Sequence, residues 1–167
     1  AFSAHYNGLV PMLFSIRESS NIGSQQKLGG GPIKCIFLVH SIALWEGMAD
    51  VYEKMHADSR FDPMIATISG RPGGSGPFHG EEVLSATFTE MGLPHIRLNM
   101  GNSYEGLSIL KSLAPHIIFR QQPWDECVMP GYSTHELSFA RLCLLPYGPT
   151  AVKEHTSGSE ARKEFAG

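Results

Sequence analysis

With 167 residues, 42% of them apolar and 17% charged, the chain is long enough to bury one core and has the composition of an ordinary globular domain. Thirteen Lys and Arg against sixteen Asp and Glu leave a net charge of −3, and the basic residues are scattered. That excludes a nucleic-acid binder working through a broad basic face, because phosphate contacts need clustered cations.

Three cysteines, Cys35, Cys127 and Cys143, lie far apart and show neither CxxC nor Cys/His ligand spacing. Neither a disulfide framework nor a zinc site is supported, and a reducing, cytoplasmic setting is the simpler reading. No metal site is expected. No apolar run reaches the length of a membrane-crossing helix, and residues 9–14 are too short, and lack the basic flank, for a signal peptide. Any membrane association is expected to be peripheral, at the inner face.

Residues 1–31 differ in texture from the rest: an apolar patch at 9–16 predicts a short helix, and the Gly/Gln/Ser-rich 23–31 reads as a linker. From Ile33 the pattern alternates. The run Ile33-Lys34-Cys35-Ile36-Phe37-Leu38-Val39 is apolar and rich in β-branched and aromatic residues, as in a strand buried on both faces of a parallel sheet. Trp45, Met48, Ala49, Tyr52 and Met55 then recur at helical spacing, which predicts a helix over 44–57. A second strand over 61–68 leads into a Gly/Pro-rich loop, a helix over 81–91 and Gly92, the residue that ends helices at the C′ position.

A third strand over 94–98, a helix over 105–113 and a fourth strand over 116–119 follow. A further helix over 134–142 and a fifth strand over 143–147 complete the pattern. Strands alternating with helices at short connections predict an α/β fold: a Rossmann-like, doubly wound parallel sheet of about five strands with flanking helices. The domain is expected to span 32–150. Residues 151–167 form a charged tail, and the chain begins without Met, so the expectation is of a piece of a longer polypeptide.

In such a sheet ligands sit beyond the carboxyl ends of the strands. The polar residues of the β→α connections gather there: His40 and Ser41 after the first strand, Arg71, Ser75 and His79 after the second, Asn99, Asn102, Ser103 and Tyr104 after the third, Arg120, Gln121, Gln122 and Asp125 after the fourth. Any parallel sheet places polar loops on that edge, so the clustering alone proves little. His40 has the chemistry of a general base or hydroxyl orienter, with a strand-end or helix-capping histidine as the competing reading. His79 precedes a helix start, where backbone N–H groups favour an anion, and a plain loop is its alternative. The Gly-rich loop over 70–76 lacks the GKS/GKT ending of a phosphate loop and does not follow the first strand; it reads as a mobile cover for the cleft. Receiver, flavodoxin and dinucleotide domains each need residues after the first strand that His40-Ser41-Ile42-Ala43 does not provide.

The lines Ile36-Phe37-Leu38-Val39-His40 with Trp45, Tyr52-Glu53-Lys54-Met55 with Asp58-Ser59-Arg60-Phe61, Arg120-Gln121-Gln122-Pro123-Trp124-Asp125 and Leu145-Pro146-Tyr147-Gly148 together resemble the N-terminal half of GT-B transferases in the CDP-glycerol glycerophosphotransferase family. The resemblance covers residues 33–147. It implies a single GT-B half, the one that holds the acceptor, with the nucleotide-activated donor bound by a second α/β half of the same polypeptide and no other cofactor.

The function this implies is acceptor binding in a glycosyl or glycerophosphate transferase for cell-surface or teichoic-acid-like polymers, inactive without the donor half. The acceptor would be a sugar or polyol phosphate. His40 is then the candidate base; Ser41, His79, Arg120, Gln122, Trp124 and Tyr147 are candidate substrate contacts, with Arg120 on phosphate and Trp124 as a stacking wall or, equally, a turn anchor. A free-standing, flavodoxin-like binding or regulatory module without catalysis is the alternative, and a small hydrolase is set aside for want of a GxSxG elbow.

Overall fold

A computed structural model describes residues 31–99 and 101–145. Five strands, β1 (Ile33–Val39), β2 (Phe61–Thr67), β3 (His95–Arg97), β4 (Ile117–Arg120) and β5 (Arg141–Leu144), form one sheet in the order β3-β2-β1-β4-β5. Every pairing is parallel. Three helices are interleaved: α1 (Ile42–His56), α2 (Glu81–Glu90) and α3 (Ser103–Leu113). The predicted α/β fold is the observed one.

β1 is central because its side chains are apolar on both faces. Cys35, Phe37 and Val39 join one core with Trp45, Met48 and Tyr52 of α1 and Leu84 and Phe88 of α2. Ile36 and Leu38, pointing the other way, join Leu107 and Leu110 of α3 with Tyr132 and Leu137. On the first face Phe37 stacks on Phe119 at 4.6 Å and meets Tyr52 edge-on at 5.4 Å, geometries that add to simple burial. Gly92 sits just past α2 with φ +69, the left-handed conformation its C′ position demands.

Between β4 and β5 the structure departs from the expected pattern. Residues 134–139 form successive turns, not a helix, and β5 starts at Arg141, two residues before the expected strand. The reason is local. Thr134 is drawn out of helical pairing by Asp125, whose Oδ1 accepts from its amide at 2.8 Å and its hydroxyl at 2.7 Å. Leu137 and Ala140 still reach the core from these turns. Pro146, Tyr147 and Gly148 lie outside the described residues, as do the predicted helix over 9–16 and all but the last residue of the linker over 23–31. Among the described residues no helix is long and apolar enough to cross a membrane.

A short 3-10 turn (Pro130–Tyr132) packs on α3 through two glycines. A Cβ on Gly106 would overlap the Tyr132 hydroxyl, which donates to the Leu98 carbonyl at 2.8 Å, and one on Gly131 would stand 2.5 Å from the Ser103 carbonyl oxygen. Gly106→Ala is therefore expected to destabilise the fold by about 1–3 kcal/mol, the cost of overpacking a filled core. Urea unfolding of the variant beside the parent checks this, and an unchanged midpoint would contradict the packing described.

Candidate functional site

The strand order reverses direction between β1 and β4, so their carboxyl ends form the switch point where a doubly wound sheet usually seats a ligand. Here a side chain occupies it. Gln121, fully buried one residue past β4, accepts with Oε1 from the His40 amide at 2.8 Å and the Ser41 amide at 3.0 Å, and donates with Nε2 to the Ser41 carbonyl at 2.8 Å. The two backbone donors that would otherwise meet a phosphate at the head of α1 are spent on this carboxamide.

A second layer closes over it. Gly70, just past β2, pairs backbone to backbone with both His79 and Val128. A Cβ at Gly70 would stand 2.6 Å from His40 Nδ1, so only glycine lets the loop lie this close to the imidazole. Arg71 extends the clasp: its amide donates to the Cys127 carbonyl at 2.9 Å and its Nε to the Glu126 carbonyl at 2.8 Å, while the guanidinium stacks 4.5 Å from the Phe78 ring. The 70–76 loop is thus stapled to the 126–128 segment.

His40 is buried beneath this clasp, and its Nε2 has no hydrogen-bond partner among the described residues. Burial lowers its pKa to about 4; the Arg120 charge pushes the same way, and a backbone hydrogen bond opposes both. At neutral pH it is an uncharged, enclosed imidazole, poorly placed to take a proton from a ligand.

Arg120, 3% exposed, turns inward and donates to Asp125 at 2.7 Å, the Thr134 hydroxyl at 3.0 Å and the Trp124 carbonyl at 3.1 Å. Its charge is matched by Asp125 and its NH1 and NH2 groups are engaged. It brackets the 120–134 loop, and its buried Nε has no hydrogen-bond partner among the described residues. Beside it, Gln122, Thr134, Leu142 and Cys143 line a cavity of about 20 Å³, space for roughly one water and too little for a sugar. Trp124 is half-buried, and its backbone carbonyl accepts from Arg120. Tyr147 lies outside the described residues.

The larger opening lies one strand over. Beyond β2 and β3, a cleft of about 320 Å³ is lined by Ser69, Phe78, His79, Asn99 and the first turn of α2 from Gly80 to Val83. That is the low end of ligand-site volumes. Ser69, buried, donates to Asn99 Oδ1 at 2.8 Å. Glu81 is fully buried: its Oε1 accepts from Thr67 at 2.7 Å and Arg97 Nε at 2.9 Å, its Oε2 from Arg97 NH2 at 2.6 Å. Burial alone would raise the Glu81 pKa, but the hydrogen bonds from Arg97 and Thr67 and the Arg97 charge outweigh it, so the group stays ionised. Of the predicted site residues that are described, only His79 lines this cleft. His40, Ser41, Arg120, Gln122 and Trp124 gather instead around the closed switch point and the small cavity.

Phe78, Glu82 and Asn99 are cleft residues that pattern reading did not single out as ligand contacts, and Gln121 was passed over for its neighbours. The glycine at 70 was visible, but the imidazole it presses on was not. Among the described residues no three His, Cys, Asp or Glu side chains converge as a metal site.

The fold and site define a doubly wound, all-parallel α/β domain with its open cleft displaced from the switch point to the β2–β3 side. Comparison of the chain with protein-family models, curated proteins and solved structures found no match.

Two outcomes follow from this geometry. Gln121→Leu strands two amide donors and a carbonyl and should cost about 2–4 kcal/mol in chemical denaturation; a loss below about 0.5 kcal/mol would contradict the bridge. The His40 pKa, 6.5 unfolded and about 4 folded, means the unfolded chain binds the extra proton between these values. Stability is then complete above pH 6.5 and falls by up to about 3 kcal/mol as pH drops toward 4. Glu81 acts lower, below its unfolded value of 4.5, so His40→Asn should flatten the denaturation profile between pH 6.5 and 4.5, and an unchanged slope would refute the assignment.

Proposed function

We propose that the chain is the acceptor-side half of a GT-B-type transferase, which holds a sugar or polyol-phosphate acceptor of a cell-surface polymer at its carboxyl edge. The nucleotide-activated donor sits on a second α/β half of the same polypeptide, at the cytoplasmic face of the membrane. The observation that carries this reading is the pairing of an open polar cleft beyond β2 and β3 with a switch point filled by Gln121. A ligand with hydroxyls has somewhere to go; at the first βα turn the His40 and Ser41 amides are already bonded to Gln121.

The resemblance of residues 33–147 to the CDP-glycerol glycerophosphotransferase family adds the reaction class. In it, an acceptor hydroxyl oxygen attacks the donor's phosphorus or anomeric carbon, its proton passes to a base, and the nucleotide leaves with the bonding electron pair. His79 is the imidazole that fits the base role, since it is exposed and lines the cleft, whereas His40 is enclosed. Its backbone is fixed by paired hydrogen bonds with Gly70 at 3.1 and 2.9 Å. Arg120 and Trp124 hold the loop that carries Gln121.

The test uses the full-length gene product with nucleotide-activated polyols and sugars, CDP-glycerol first. Transfer to a polyol-phosphate acceptor is expected, with His79→Ala lowering kcat by about 10²-fold or more and acceptor KM changing only a few-fold. No transfer from any donor of the panel, or a His79→Ala enzyme at full rate, would overturn the reading.

A further inference from the structure

The head of α2 presents the usual invitation to an anion. Its N-cap is Gly80, left-handed at φ +94, and no side chain caps the first-turn amides. Yet two carboxylates already stand in that turn. Glu81 is balanced by Arg97, whose Nε and NH2 are both engaged on it. Glu82 is exposed on the cleft wall, and among the described residues no Lys or Arg lines the cleft. Arg71 is held against Phe78 and the Glu126 carbonyl. His79 is the one ring at the cleft that can carry positive charge. A phosphate dianion entering here would face two carboxylates, Glu81 and Glu82, that already share the Arg97 charge, with the partial charge of the helix end and a histidine to favour it.

The same walls suit a neutral ligand with several hydroxyls. Glu82 offers carboxylate oxygens to O–H donors, and such charge-assisted bonds are the stronger kind. Asn99 takes the Ser69 proton on its oxygen, which fixes the carboxamide and leaves its NH2 as a donor. Phe78 adds an aromatic surface for C–H groups. A volume of about 320 Å³ accommodates one ring or a short polyol.

We infer that the β2–β3 cleft binds a neutral polyhydroxyl group, a polyol or a sugar ring, through Glu82, Asn99 and Phe78, and excludes phosphate. This deepens the acceptor reading and rests on it for biological meaning: a phosphate belonging to the acceptor lies outside the cleft.

Backbone amide chemical shifts of the isotope-labelled chain, followed during titration with glycerol, ribitol and, separately, inorganic phosphate at constant ionic strength, test it. Glycerol and ribitol are expected to shift the amides of Ser69, Phe78 to Val83 and Asn99, with the longer polyol binding more tightly, while phosphate leaves them in place. Glu82→Gln should bind ribitol about tenfold more weakly, the loss of one charge-assisted hydrogen bond, and should admit phosphate. Phosphate shifting the Gly80 to Val83 amides of the unmodified chain would overturn the inference, as would polyols that leave the cleft amides unmoved or Glu82→Gln with parental polyol affinity. Polyol binding here by a gene product that transfers nothing would sink the transferase and leave this inference standing; transfer without polyol shifts in the cleft would do the reverse.

Discussion

The carboxamide of Gln121 is the contact on which the functional edge of this domain depends. β1 and β4 are neighbours in the sheet but their connections leave in opposite senses, and the gap this opens is normally left for a ligand. Here Gln121 satisfies both amides and the carbonyl that line the gap, using a donor and an acceptor of one buried side chain. A buried amide pays its desolvation only when fully bonded. Nearly every other feature of the edge follows from keeping it so.

The bracket around Arg120 is the first of these. The residue preceding Gln121 is pinned by Asp125, Thr134 and the Trp124 carbonyl, which fixes the loop that delivers the carboxamide. The clasp of Gly70 on Val128 and His79 is the second: it seals the plug from above and encloses His40 at the same time. The clasp also sets the walls of the cleft, because Phe78 and His79 belong to the loop it anchors. Closure of one site and construction of the other are thus the same set of contacts. Charge then differentiates them, with one Arg120–Asp125 pair at the closed side and two carboxylates, Glu81 and Glu82, sharing the Arg97 charge at the open one.

The sheet was legible because its code is short-range. The uninterrupted apolar run of β1 and the Trp45, Met48, Tyr52 spacing of α1 are local patterns set by the periods of strand and helix. The 134–142 stretch misled because Asp125, nine residues before Thr134, decides the backbone there. Site placement depends on pairings of longer reach. Gln121 bonds residues 80 and 81 positions away, and Glu81 finds Arg97 sixteen positions on. No sequence period encodes such partners. Reading the edge by polarity correctly gathered residues after each strand, but it could not tell which opening was filled.

That the switch point is closed and the β2–β3 cleft is open is the central claim, and amide hydrogen exchange of the chain in its native state tests it most directly. The account predicts that the His40 and Ser41 amides exchange only with global unfolding, as core amides do, and that no nucleotide or polyol changes their rates, whereas bound polyol slows exchange in the first turn of α2. Rapid exchange at His40 and Ser41 in the free chain, or protection appearing there on adding a nucleotide, would mean that the switch point is the working site and that the account is wrong.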